Sequence, residues 1–396
     1  MGTIYMDHAA TTPIDPRVHE AMQPWLQECY GNPSSPYAVA RRARAAIDDA
    51  RERVAGLIGA RPSEVYFTAG GTEGDNLAIK GIAWAREANG RHLIVSSIEH
   101  QAVLETARFL SRRGWELTLL PVDSHGLVDP QAVAEALRSD TALVAVMHAN
   151  NEVGTVQPIA EIAAVTRSRG VPLVVDAVQT AGLMPIDVDA LGCDVLVMSA
   201  HKFYGPKGAG AVYVRRGTPI EPLLHGGGQE RGLRAGTESV AGIVGLAKAL
   251  ELACAEMHEV VPRLIRLRDE LAAGILQRVP GARLNGDPAK RLPNNVHVSF
   301  AGVDGESLLL NLDLAGLAAS SGSACTSGSL SPSHVLLAMG LSRELARGSL
   351  RLTLGKDNTE VEVRRAVDLI AAAVERLREK NRPTARMAPP FRAQRA

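Results

Sequence analysis

The 396-residue sequence predicts an α/β fold, with a large, mostly parallel sheet covered by helices and a smaller α+β unit after it. Three observations lead there. Between Glu64 and Val214 short apolar runs alternate with amphipathic stretches such as Gly74 to Glu87 and Ile159 to Arg169. The runs are near-continuously apolar, as strands covered on both faces are, where a half-exposed strand would alternate. The chain is also too long for a single small core.

Taken in order, the predicted strands are Val65 to Phe67, His92 to Ser96, Leu117 to Leu120, Leu143 to His148, Leu173 to Val175 and Val195 to Met198. Val240 to Val279 reads as a long helical pattern interrupted by Pro262. Strand-like Val296 to Phe300, a helix from Gly305 to Leu312, a strand from Leu350 to Leu354 and a closing helix from Glu360 to Lys380 make the second unit. The expected division is a large domain over 13–255 and a small α+β domain from 1–12 and 256–380. Residues 381–396, with three prolines and four arginines, form a tail expected to be disordered.

Composition excludes several functions. Lys+Arg and Asp+Glu both number 43, so no excess charge points to nucleic acid or an anionic membrane surface. Apolar stretches are broken by charges well short of ~18 residues, so no membrane span is expected. The start, Met1 to His8, has neither a basic region nor an apolar signal core, and a cytoplasmic protein is expected. The four cysteines, Cys29, Cys193, Cys254 and Cys325, show no paired spacing, which favours neither disulfides nor a zinc site. Cys193 and Cys254 read as small buried hydrophobes.

In doubly wound sheets ligands sit beyond the carboxyl ends of the strands, so the residues there carry the chemistry. After the first strand comes Thr68-Ala69-Gly70-Gly71-Thr72-Glu73-Gly74-Asp75, whose small residues and helix start suit a phosphate. A plain helix cap, Thr72 with Asp75 in capping-box spacing, is the other reading. His100 and Asn151 follow the next strands, where a structural histidine and turn chemistry at Asn150-Asn151 are the alternatives. Asp176 ends an apolar strand, a costly place for a carboxylate unless a cation or a helix cap meets it. Lys202 follows the last strand, where partial desolvation makes an amine a competent Schiff-base nucleophile. Five successive strand ends thus offer a phosphate loop, an aromatic-type base, an amide, an acid and an amine.

The segments Ser199-Ala200-His201-Lys202, Asn150 to Gly154, His225 to Gly232 and Ser320 to Gly328 resemble cysteine desulfurases of the NifS/IscS type. That family lies within the class V aminotransferases, of the pyridoxal-phosphate fold type I, and the resemblance runs from Tyr5 to about Arg378. It implies a seven-stranded sheet and pyridoxal 5′-phosphate as cofactor. Lys202 would hold the cofactor covalently and shuttle the α-proton, and His100 would stack on the ring and share in proton transfer. Asp176 would pair with the ring nitrogen, and Gln179 with its phenolic oxygen. Thr72, Ser199, His201 and the backbone of Gly71 would hold the phosphate, joined by Thr237 from a partner subunit, so that a homodimer is the working unit. Asn151 would touch cofactor and substrate. Arg351, whose alternation in Leu350 to Leu354 otherwise reads as the outer face of a surface strand, would grip the substrate carboxylate.

Cys325 lies in Ala318 to Ser329, a run of small residues that cannot anchor by packing and is expected to be mobile. A thiol there suits attack on the sulfur of L-cysteine, yielding alanine and a persulfide passed to an iron–sulfur scaffold or another acceptor. No stable metal site is implied; the persulfide would meet a cluster on such a partner only transiently. A selenocysteine lyase or another class V aminotransferase would share every one of these residues except the need for Cys325 as sulfur nucleophile, whereas Lys202, Asp176, His100 and Cys325 kept together argue against a scaffold without activity. A nicotinamide dehydrogenase is disfavoured, since no G-x-G-x-x-G opens the first strand–helix unit. One departure from relatives is Gly74, where a serine is expected.

Overall fold

The computed structural model describes residues 2–321 and 332–380. The strands are β1 (Ile4–Tyr5), β2 (Val65–Thr68), β3 (His92–Ser96), β4 (Glu116–Leu120), β5 (Thr141–Ala145), β6 (Leu173–Asp176), β7 (Val195–Ser199), β8 (Gly210–Val214), β9 (Ala282–Leu284), β10 (Asn295–Phe300), β11 (Leu317–Ala318) and β12 (Ser349–Thr353). The helices are α1 (Pro16–Gln27), α2 (Ala38–Leu57), α3 (Gly71–Ala85), α4 (Gln101–Ser111), α5 (Pro130–Ala136), α6 (Ile159–Ser168), α7 (Val188–Leu191), α8 (Val240–Arg278), α9 (Gly305–Leu314), α10 (His334–Ala338), α11 (Arg343–Arg347) and α12 (Glu360–Lys380).

The main sheet has seven strands in the order β2-β8-β7-β6-β5-β3-β4. β8 runs antiparallel to both neighbours, and the remaining pairs are parallel. All strands but β8 therefore point the same way, and their carboxyl ends share one edge. Every residue of β3, β5, β6, β7 and β8 is buried. Successive side chains serve opposite faces: Leu196 and Met198 join the core beneath α2 and α8, while Val195 and Val197 join the core beneath α3 and α4. Two covered faces explain the continuous apolar runs.

A second core gathers Ile4 and Met6 with the distal half of α8, β10, β12 and α12. Its sheet, β12-β10-β9, is antiparallel. The long helix α8 serves both cores and continues through Pro262, contrary to the expected interruption. The proline deletes one ladder donor, which packing on both sides outweighs. Two other expectations need correction. The β5 ladder closes at Ala145, although the Val146 and His148 N–H groups still donate to Val174 and Asp176 carbonyls on β6. β12 is no surface strand: all its residues are buried and the Arg351 side chain is 2% exposed. Alternation defines two faces but not what covers the second, which here is residues 6–9 and Ser320.

Among the described residues no helix is long and apolar enough to cross a membrane. The expected reading of Cys193 as a small hydrophobe agrees with its burial, which pushes its thiol up to about 12.

Gly74 has a local reason. A Cβ there would lie 2.6 Å from Val197 Cγ1 and 3.0 Å from Val212 Cγ2, so its absence lets α3 sit close on β7 and β8. Gly74→Ser should cost about 1–3 kcal/mol through overpacking. Denaturant unfolding tests this: the midpoint should fall with an unchanged slope, and an unaltered midpoint would mean that α3 can back away.

Candidate active site

The shared strand edge opens into a cavity of about 310 Å³. Its base is the start of α3. The N-cap of α3 is Gly70, at φ 151° and ψ −175°, a conformation essentially restricted to glycine. Thr72 therefore lies inside the first turn and caps nothing, so the capping-box reading does not apply. Gly71, Thr72, Ser199 and His201 line this cavity and also an adjoining, more open one with Lys207 on its wall. Exposed N–H groups at a helix start, two hydroxyls and an imidazole make an anion cradle. His201 Nδ1 lies 3.1 Å from Thr11 Oγ1, and burial with Lys202 and Lys207 nearby pulls its pKa down to about 4. At neutral pH it therefore offers a hydrogen bond and no charge.

Lys202 leaves β7 through a short 3₁₀ turn, Ala200–Lys202, and its Nζ donates to the carbonyls of Ala9 (2.5 Å) and Ala10 (2.9 Å). His100 caps α4, its Nδ1 accepting the Ala102 N–H at 3.2 Å. Asn150 and Asn151 divide their work. Asn150 is fully buried and ties its turn through Glu152 and Val153 N–H groups, while Asn151 lines the cavity. Gln179 lines it too, with Nε2 on the Ala9 carbonyl at 3.0 Å. Arg351 closes the far wall. Thr237 is exposed and away from this cavity, and Cys325 lies outside the described residues.

Asp176 ends β6, with Oδ1 accepting the Val178 N–H at 2.8 Å. Two further carboxyls that sequence reasoning missed lie near it, Asp75 and Glu99, each 1% exposed. Burial raises all three, and their mutual repulsion raises Asp75 and Glu99 further. Glu99 reaches about 8 against the pull of the Ser96 hydroxyl and the Met147 N–H. Three such neighbours cannot all ionise. His100 and Lys202 oppose the rise at Asp176, whereas the charge of Asp176 adds to the rise at Asp75 and Glu99. Glu99 had a signal in the sequence: like Asp176, it is an acid placed just past an apolar strand.

These residues fit pyridoxal phosphate. An amine, a buried carboxylate for a cationic ring nitrogen and a phosphate cradle share one cavity. The cradle depends on bare backbone, since a Cβ at Gly71 would meet Val178 Cγ2 at 2.8 Å. The family described as aminotransferase class-V matches residues 4–366. The chain belongs to that family. Its cofactor is pyridoxal 5′-phosphate.

Within the class-V aminotransferases the chain is similar to cysteine desulfurase IscS of Dictyoglomus turgidum, 52% identical over 375 residues and covering 95% of each chain. It is as similar to cysteine desulfurase IscS of Methanosarcina thermophila, 52% identical over 95% of this chain and 93% of that one. A solved NifS-like protein superposes with a TM-score of 0.88 at 40% identity, covering 94% of this chain and 99% of that one. SspA in complex with cysteine superposes at 0.80 and 40% identity, over 90% of this chain and all of that one.

The proton on Glu99 has a measurable consequence. An acid at about 8 in the fold and near 4.5 unfolded contributes stability that is lost as pH rises between those values. Glu99→Gln, which mimics the protonated acid, should flatten the fall of melting temperature between about pH 5 and about pH 8. A fall of unchanged size would show that Glu99 is ionised.

Proposed function

We propose that this chain is a cysteine desulfurase, converting L-cysteine to L-alanine and leaving the sulfur as a persulfide on Cys325. The observation that carries the reading is one cavity in which Lys202, Asp176 and Arg351 converge from β7, β6 and β12. An amine to hold the cofactor, an acid for its ring nitrogen and a guanidinium for an amino-acid carboxylate are the minimum for this chemistry. The similarity to curated cysteine desulfurases supports the choice of substrate.

Thr72, Ser199, His201 and the Gly71 N–H would hold the phosphate, Gln179 the phenolic oxygen, and His100 the ring face. When bound, pyridoxal phosphate supplies an electron sink that makes the substrate's α-proton, and then its Cβ–Sγ bond, labile. Asp176 keeps its charge beside the ring nitrogen. Lys202 Nζ, once displaced by the substrate amine, takes the α-proton and returns it. Arg351 and Asn151 fix the substrate so that its sulfur is presented to Cys325. The Cys325 thiolate attacks that sulfur: an S–S bond forms as the Cβ–Sγ bond breaks, and Cβ gains the proton that completes alanine.

The described residues flanking the Cys325 segment support its role, because both flanks are tied to the site's walls. Ser320 exchanges backbone hydrogen bonds with Arg351 at 2.7 and 3.2 Å. On the other side Ser333 Oγ donates to Glu152 at 2.5 Å and His334 Nε2 meets the Glu99 carbonyl at 3.0 Å. Ser320 thus starts that segment beside Arg351, a residue of the cavity wall. We further propose a cytoplasmic homodimer in which Thr237 of each subunit reaches the other's phosphate site, with an iron–sulfur scaffold or another carrier as sulfur acceptor.

The test is alanine and sulfide release from L-cysteine with a reductant present. Cys325→Ala should keep the yellow cofactor colour and lose on the order of 10³-fold or more in kcat. Lys202→Ala should lose both the covalent link and turnover. Full turnover in Cys325→Ala would remove the cysteine from the reaction and favour a lyase or an aminotransferase.

A further inference from the structure

Arg351 meets a carboxylate that belongs to the protein itself. Asp7 Oδ1 lies 2.8 Å from Arg351 Nη2, while Arg351 Nη1 donates to the Asn151 carbonyl at 3.0 Å. The pair is sheltered, with the arginine side chain 2% and the aspartate 18% exposed. Asp7 is no loose surface group. Its carbonyl accepts the Tyr5 hydroxyl at 3.1 Å and the Ala10 N–H at 3.0 Å. Its neighbours are laced to β12, with Thr353 N donating to the Met6 carbonyl at 2.7 Å and Ala9 N donating to Thr353 Oγ1 at 2.8 Å. The carboxylate is thus built into the same frame as the guanidinium that it meets.

We infer that Asp7 is a specificity-determining residue that competes with the substrate carboxylate for Arg351. The inference rests on the reading of Arg351 as the substrate's carboxylate clamp. A buried guanidinium without a counter-charge is costly, and it would hold any small carboxylate tightly, product included. With Asp7 in place the fork is already neutralised and oriented by its hydrogen bonds to Asp7 and Asn151. An incoming carboxylate gains only the difference between its own contacts with Arg351 and those it takes from, or shares with, Asp7. The site therefore accepts an amino acid without trapping the alanine it forms. Asp7 touches neither the reacting atoms nor the cofactor in this scheme and acts through Arg351.

The test compares the affinity of the pyridoxal-phosphate-loaded protein for L-alanine and for L-alaninamide by calorimetry. Both ligands carry the amine, so their affinity ratio isolates the carboxylate. Wild type should prefer alanine only modestly, by about tenfold or less. Asp7→Asn should widen the preference by about tenfold or more and lower KM for L-cysteine without raising kcat. Asp7→Glu, which keeps the charge, should return the ratio towards the wild-type value, whereas a merely structural Asp7 would give ratios that follow the melting temperatures. Arg351→Ala should abolish the preference. If it abolishes the preference while Asp7→Asn leaves it unchanged or narrows it, the inference fails and the clamp stands. If Arg351→Ala keeps the wild-type ratio, the clamp itself is wrong. Should Asp7→Asn not fold, a wild-type preference well above a hundredfold would by itself overturn the competition.

Discussion

One stretch of chain, Tyr5 to Asp15, links the two cores and holds together the two ends of the active site. At one end Asp7 and Ala9 are bound to β12, the strand of Arg351. At the other, Thr12 donates through both its N–H and its hydroxyl to the His201 carbonyl, and its Oγ1 accepts the Tyr204 N–H. Between them the carbonyls of Ala9 and Ala10 receive the Lys202 ammonium. One ion pair and a set of hydrogen bonds to this stretch thus fix the Lys202 amine and the Arg351 guanidinium relative to each other. Tyr204 shows how firmly the turn is held. It sits at φ 65°, a strained value for a side chain of its size, with its hydroxyl accepting the Lys356 N–H at 2.7 Å and Lys356 paired with Asp15.

A second constraint is charge. A parallel sheet collects strand ends, and this one collects three carboxyls in a space that water scarcely reaches. Asp176 has His100 and Lys202 beside it, and both oppose the rise that burial imposes on its carboxyl. Asp75 and Glu99 are raised by burial and again by the charge of Asp176, which favours their neutral forms. In the proposed reaction one negative charge facing one ring nitrogen is what the electron-sink cofactor requires, and Asp176 is the carboxyl proposed to supply it.

Much of this was legible in the chain. The strand His92–Ser96 and the helix Glu360–Lys380 appear at their expected bounds, because apolar runs and helical periodicity report burial directly. The residues just past the strands that line the cavity could be named because topology places carboxyl ends together. What stayed hidden depended on contacts distant in sequence. β8, with its Gly-Ala start in a glycine-rich stretch, carries little strand signal and is defined by pairing with β2 and β7. Arg351 looked like a surface residue because nothing local announces that residues 6–9 will cover it. The upward shifts of Asp75 and Glu99 belong to the cluster and not to either residue's own sequence neighbourhood.

Transfer of sulfur to Cys325 is tested most directly by peptide mass analysis after one equivalent of L-cysteine is added to the pyridoxal-phosphate-loaded protein without reductant. The expected result is one alanine released per chain and one additional sulfur atom on the peptide that contains Cys325, with Cys29, Cys193 and Cys254 unmodified. Alanine formed with no sulfur on Cys325, or with the sulfur on one of the other three cysteines, would contradict it.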